Sequence, residues 1–197
     1  MSDRPLPLAN SPTVGTVVWF TGLSGAGKST LATALRHRLQ QEGLACVLLD
    51  GDDLRRELCA DLGFTEADRR LQMTRTSSMA RLLVQQGLIV LVSLISPLAD
   101  VRSAIKASHL PRFLEVYCAA PFAICRQRDV KGLYQKAQRG EIPLMTGIAS
   151  TYEAPVAADV ILDTGAQTQE ESLAILYERF SQHWQTLTSG TSAASLN

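Results

Sequence analysis

From Gly22 to Ser29 the chain reads Gly-Leu-Ser-Gly-Ala-Gly-Lys-Ser, and Thr30 follows. Glycines, a lysine and a hydroxyl at this spacing form a phosphate-binding loop. The glycines let main-chain N–H groups turn toward one anion, the lysine neutralises it, and the hydroxyl holds a divalent metal. Lys28 is the expected partner of β- and γ-phosphates, and Ser29 the expected Mg²⁺ ligand. Gly22, Leu23, Ser24, Gly25, Ala26, Gly27, Lys28, Ser29 and Thr30 are therefore assigned to the phosphates of a nucleotide. A second group is acidic: Asp50-Gly51-Asp52 suits metal binding through water, or the aiming of an attacking hydroxyl. Asp52 also fits the cap of a following helix.

Further along, Arg55 and Arg69 could fork around an anion or be solvated helix charges. Phe64 is a buried anchor or a stacking face for a base. Ser96 could bind an acceptor from the sheet's carboxyl edge, or cap a helix that starts at Pro97. Arg128, Lys131, Lys136 and Arg139 make one basic segment, in which Gly132 and Gly140 are possible flex points. This basic segment reads as a movable lid over phosphates, with a solvated basic helix as the alternative.

These residues need a frame. Five apolar runs read as strands: Val17–Thr21, Ala45–Asp50, Leu88–Ser93, Phe113–Cys118 and Val160–Asp163. Helical spacing covers Lys28–Glu42, Asp52–Leu58, Glu66–Gln86, Pro97–Ser108, Pro121–Arg128, Gly132–Arg139 and Gln169–Thr186. Such alternation predicts an α/β fold, a parallel sheet with helices on both faces. Functional residues belong at the carboxyl ends of its strands, as Asp50 and Ser96 are. His183, expected near the end of the last helix, favours the helix dipole.

The 197 residues fit one domain over 14–187, between a loose leader 1–13 and a loose tail 188–197. Nineteen Lys and Arg balance nineteen Asp and Glu, which argues against a nucleic-acid or anionic-membrane binder. Cys46, Cys59, Cys118 and Cys125 show no zinc or C-x-x-C spacing and fit a reducing cytoplasm. No apolar run approaches transmembrane length.

From Gly15 to Thr164 the chain resembles the adenylylsulfate kinase (APS kinase) family. The resemblance rests on Gly22–Thr30, Asp50-Gly51-Asp52 with Arg55, Asp61-Leu62-Gly63-Phe64, Asp68-Arg69 and Ile95-Ser96-Pro97. It continues through Glu115-Val116-Tyr117, Arg128-Asp129, Lys131-Gly132-Leu133-Tyr134, Thr146-Gly147-Ile148, and Tyr152-Glu153 with Pro155. It implies a three-layer α/β/α P-loop kinase fold with a mainly parallel five-stranded sheet and a basic lid. The implied reaction moves the ATP γ-phosphoryl group to the 3′-hydroxyl of adenosine 5′-phosphosulfate.

The implied catalytic residues are Lys28, Asp50, Asp52 and Ser96, with Mg²⁺ at Ser29 and Asp50. The implied acceptor contacts are Asp52, Arg55, Phe64, Arg69, Gln72, Ile95, Ser96, Lys131, Met145 and Thr146. Phe64 would stack on the acceptor adenine, and Arg55 and Arg69 would hold the phosphosulfate. A phosphorylated serine has been proposed in the family at the position of Ser96, although direct in-line transfer needs none. A homodimer and an ATP sulfurylase partner are also implied. The chain departs from the family pattern at Gln72, Thr74, Arg126, Met145 and Ala149. Two other readings stay open: a kinase for another nucleotide-linked acceptor, and a nucleotide-binding homologue without transfer.

Overall fold

The computed structural model describes residues 14–194. The expected leader and the last three residues of the expected tail lie outside the described residues. Five strands are found: β1 (Thr16–Thr21), β2 (Cys46–Asp50), β3 (Ile89–Ser93), β4 (Phe113–Cys118) and β5 (Val160–Leu162). All pair in parallel, in the order β2-β3-β1-β4-β5. Helices α1 (Lys28–Gln41), α2 (Gly51–Glu57), α3 (Glu66–Gln85) and α4 (Ala99–His109) alternate with the first strands. Helices α5 (Phe122–Arg128), α6 (Leu133–Gln138) and α7 (Gln169–Ala194) complete the chain.

Alternation along each strand splits the core in two, because successive side chains leave opposite faces of a sheet. Val18, Phe20, Leu91 and Val116 join Leu35 and Leu39 of α1 and Leu176 and Phe180 of α7 on one face. Val17, Trp19, Val90 and Val92 meet Met73, Ala80 and Val84 of α3 and Ile105 of α4 on the other. A leucine as enclosed as Leu35 makes the first face costly to disturb, about 2–5 kcal/mol for Leu35→Ala. The short β5 is covered on one face alone, since Ile161 stays exposed. No helix of the described residues is long and apolar enough to cross a membrane.

The register sets the site. Phe20 and Asp50 both pair with Ser93, so three strands end level with one another. β1 lies between β3 and β4, where the connections turn from one side of the sheet to the other. A crevice opens at such a switch point, and the glycine loop leaves β1 into it.

Three local expectations are corrected. α4 begins at Ala99, not Pro97, and Ser96 does not cap it. The Glu153 carboxylate accepts from the Ala99 N–H at 2.6 Å, doing from across the chain what a local serine would do. Helix α2 is capped by Asp50, whose Oδ1 accepts from the Asp52 N–H at 3.0 Å, so Asp52 is not the cap. Helix α7 passes the expected end at Thr186 and reaches Ala194, taking in part of the expected tail. His183 therefore lies inside that helix, where its Nε2 is 2.9 Å from the Thr16 Oγ1 of β1.

Candidate active site

The glycine loop wraps the start of α1. Gly25 has φ +78°, and a Cβ there would stand 2.9 Å from the Cys125 carbonyl. Glycine meets both the left-handed backbone and the close approach. No side chain caps the start of α1, which leaves its first N–H groups facing an anion seat. The Lys28 ammonium is folded back, donating to the Gly22 carbonyl at 3.0 Å and the Leu23 carbonyl at 2.8 Å. Burial lowers its pKa to about 8, with Lys131 adding a smaller push in the same direction. A triphosphate in the seat would supply the charge this lysine lacks.

Ser29, first turn of α1, donates its hydroxyl to Asp50 Oδ2 at 2.6 Å and lies 3.0 Å from the Ser93 hydroxyl. The strand register brings these oxygens together from α1, β2 and β3. One carboxylate and two hydroxyls form a hard oxygen set suited to Mg²⁺, which keeps several waters and phosphate oxygens. Among the described residues no cluster of three or more His, Cys, Asp or Glu could hold a metal by itself. The fit is to an ion that arrives with a nucleotide.

The far end of the crevice is built from side chains. Phe64 is 48% exposed and is no buried anchor. The Arg55 guanidinium lies 4.2 Å from its ring centroid and the Arg69 guanidinium 5.9 Å. Arg55 donates to the Gly63 carbonyl at 2.9 Å. Arg69 is buried, donating to the carbonyls of Phe64 at 3.1 Å and Leu144 at 2.7 Å. Neither arginine is a solvated helix charge. Burial pushes both guanidinium pKa values down, and the Arg55 charge pushes Arg69 further. Two crowded, desolvated cations beside an open ring suit an anion that carries a base.

The basic segment closes the crevice. Asp129 accepts from the N–H groups of Tyr134 at 3.0 Å and Gln135 at 3.1 Å, which starts α6. Tyr134 is buried, and its hydroxyl donates to the Ser24 carbonyl of the glycine loop at 2.9 Å. Lys131 pairs with Asp52. Arg128 donates to the Thr164 carbonyl at 2.6 Å.

One cavity of about 500 Å³ joins these parts. Of the expected residues it is lined by Ser24, Gly25, Gly27, Lys28, Ser29, Thr30, Asp50, Asp52, Arg55, Phe64, Arg69, Gln72, Ile95, Ser96, Lys131, Met145 and Thr146. Gly22, Leu23 and Ala26 do not line it: the first two offer carbonyls to Lys28, and Ala26 is in the core. The cavity also takes in Ser93, Arg128, Thr164 and Thr168. Ser93 carried a signal, a hydroxyl closing an apolar strand. Thr164 carried none, since it follows a three-residue strand far down the chain.

A family model described as adenylylsulphate kinase matches residues 14–163. The chain belongs to the adenylylsulfate kinase family. It is 52% identical over 149 residues to an adenylyl-sulfate kinase of Shewanella sp. (strain MR-4), covering 75% of this chain and 73% of that one. It is 48% identical over 159 residues to that of Paraburkholderia xenovorans (strain LB400), covering 81% and 89%. Among solved structures, the Mycobacterium tuberculosis APS kinase CysC in complex with AMPPNP and APS aligns with a TM-score of 0.82. That match has 42% identity and covers 86% of this chain and 99% of that one.

Family membership gives the five departures a map. Gln72 and Met145 line the cavity and are buried. Thr74, Arg126 and Ala149 are exposed and lie outside its lining. Thr74 spends its hydroxyl on the Arg70 carbonyl at 2.9 Å, within its own helix. Two of the five changes therefore line the cavity of this adenylylsulfate kinase fold, and three lie outside it on exposed residues.

Proposed function

We propose that this kinase transfers the ATP γ-phosphoryl group to the 3′-hydroxyl of adenosine 5′-phosphosulfate. The products are ADP and 3′-phosphoadenosine 5′-phosphosulfate. One observation carries the reading. A single cavity holds a main-chain phosphate seat at one end and an aromatic ring with two guanidiniums at the other, and α2 spans the two with Asp52 and Arg55.

The triphosphate lies on the loop amides and the start of α1. Lys28 leaves the carbonyls of Gly22 and Leu23 for the phosphate oxygens. Ser29 and Asp50 would hold Mg²⁺, which when bound would supply charge to neutralise the phosphates. Phe64 stacks on the acceptor base, Met145 and Gln72 line the same cavity, and Arg55 and Arg69 take the phosphosulfate. Ile95, Ser96 and Thr146 complete the acceptor contacts. Asp52 aims the hydroxyl and accepts its proton late, once Lys131 has left it for the phosphates. Most of the rate comes from positioning and charge stabilisation. Transfer is direct, with no phosphoserine step at Ser96.

The changes at Gln72 and Met145 favour a second reading with the same chemistry, a different nucleotide-linked acceptor. Incubating the protein with Mg·ATP and each of a panel of adenosine and guanosine derivatives, then identifying the products, separates the two. Adenylylsulfate consumed with formation of its 3′-phosphorylated product supports the first. Turnover of another acceptor alone overturns it. A homodimer that works beside an ATP sulfurylase belongs to the same proposal and rests on the family resemblance, and a cytoplasmic location rests on the cysteine pattern. Sedimentation of the free chain as a monomer would remove the dimer.

A further inference from the structure

Ser96 sits in a strained and enclosed place. Its φ is +49°, in the left-handed region that residues with side chains seldom adopt. It is 2% exposed yet lines the cavity. Two buried side chains hold it, one at the hydroxyl and one at the carbonyl. The Trp19 indole N–H donates to Ser96 Oγ at 2.9 Å. The Arg102 guanidinium donates through Nη1 to the Ser96 carbonyl at 2.6 Å.

Arg102 is itself fixed. Nη2 donates to the Glu153 carbonyl at 2.6 Å, and Nε forms an ion pair with Glu115 Oε1 at 3.2 Å. The Glu153 N–H donates to the Pro97 carbonyl at 2.9 Å, closing the bracket around residues 96–99. Such over-determination is what a left-handed serine requires to persist.

An indole N–H is a donor with no acceptor capacity. It occupies a lone-pair position of Ser96 Oγ and cannot take the hydroxyl's own hydrogen. Hydroxyl hydrogens rotate to suit their surroundings, and this one is turned away from Trp19. Within the described residues Trp19 is the side chain bonded to that oxygen. The hydrogen is left for a group in the cavity.

We propose that Trp19 is a positioning residue for acceptor binding, presenting the Ser96 hydroxyl as a donor to the acceptor while Arg102 holds the strained backbone beneath it. The inference rests on the reading of Ser96 as an acceptor contact.

Steady-state kinetics of Trp19→Phe, Ser96→Ala and the double variant test it. Trp19→Phe keeps a ring beside Phe113, whose centroid lies 6.1 Å away, and deletes the N–H. The expected result is a rise in acceptor KM of about three- to tenfold for Trp19→Phe, with the KM for ATP unchanged. In the Ser96→Ala background the Trp19 change adds nothing. Additive losses, or equal losses in both KM values, make Trp19 a packing residue and overturn the proposal. If Ser96→Ala leaves the acceptor KM unmoved, the reading of Ser96 fails instead.

A second measurement serves where Trp19→Phe does not fold. Trp184→Phe leaves Trp19 as the one indole of the chain. Its emission should respond to adenylylsulfate, and Ser96→Ala should abolish the response. An unchanged response in Ser96→Ala would overturn the proposal.

Discussion

The two ends of the cavity are made of different material. The phosphate end is main chain: loop amides, the uncapped start of α1, and carbonyls that hold Lys28 in reserve. The acceptor end is side chains that occupy one another, Arg55 over Phe64 and Lys131 on Asp52. Main-chain groups placed by a strand and a helix have little freedom to do anything else. Side chains have alternative partners, so the acceptor end must exchange internal contacts for substrate contacts. The phosphate end is therefore preorganised, and the acceptor end is assembled on binding.

The largest effect expected is at the phosphate end. Lys28→Ala should lower kcat about 10²–10³-fold, measured with saturating acceptor, with the thermal midpoint retained. Retained activity would mean that the loop does not stabilise the transferring group. At the acceptor end Phe64→Ala should weaken acceptor binding by about 1–3 kcal/mol and leave ATP binding alone, readable by calorimetry. Met145→Phe should act in the opposite direction, adding a second aromatic face and lowering acceptor KM by up to about tenfold. A loss of ATP affinity in either variant would erase the distinction between the ends.

Protonation sharpens the comparison. Free Lys28 has a pKa near 8, and bound phosphate raises it, so the nucleotide prefers the protonated form. ATP affinity should be level below pH 8 and fall above it, by up to about tenfold per pH unit. Lys28→Met should flatten that profile. The smallest effect lies away from the cavity. His109 is buried beside Ser77 and His183 half-buried beside Thr16, and burial lowers both pKa values from 6.5. The unfolded chain then binds more protons, so stability present above pH 6.5 is lost as pH falls through the folded values. Thermal melts should drop by a few degrees between pH 7 and pH 5, and less in His183→Gln.

The same contrast explains what could be read from the chain alone. The glycine loop announces itself because its function depends on residues adjacent in sequence, with α1 following at once. The strands announce themselves through unbroken apolar runs such as Val17–Phe20, buried on both faces. Contacts between distant positions were silent. Nothing near Ser96 says that Trp19 and Arg102 will hold it, nor that Glu153 will cap α4 and free Ser96 from that task. Asp52 reads as a cap because it follows a strand, but the helix already starts at Gly51, so Asp50 takes the cap and Asp52 lies in the first turn. Arg55, Phe64 and Arg69 read individually as ambiguous. Their meaning comes from the loop between α2 and α3, where Arg55 is tied to the Gly63 carbonyl and both guanidiniums approach one ring.

The central claim is that one cavity passes a phosphoryl group from the main-chain seat to the sugar hydroxyl aimed by α2. The most direct test is a single turnover with ATP labelled in its γ-phosphate, adenylylsulfate as acceptor, and enzyme in excess. The account predicts that the label moves in one step to the 3′-oxygen of adenylylsulfate, with one ADP formed per label transferred and no labelled protein at any time. Label found on the protein before it reaches the nucleotide, or released as free phosphate while adenylylsulfate stays unchanged, would contradict it.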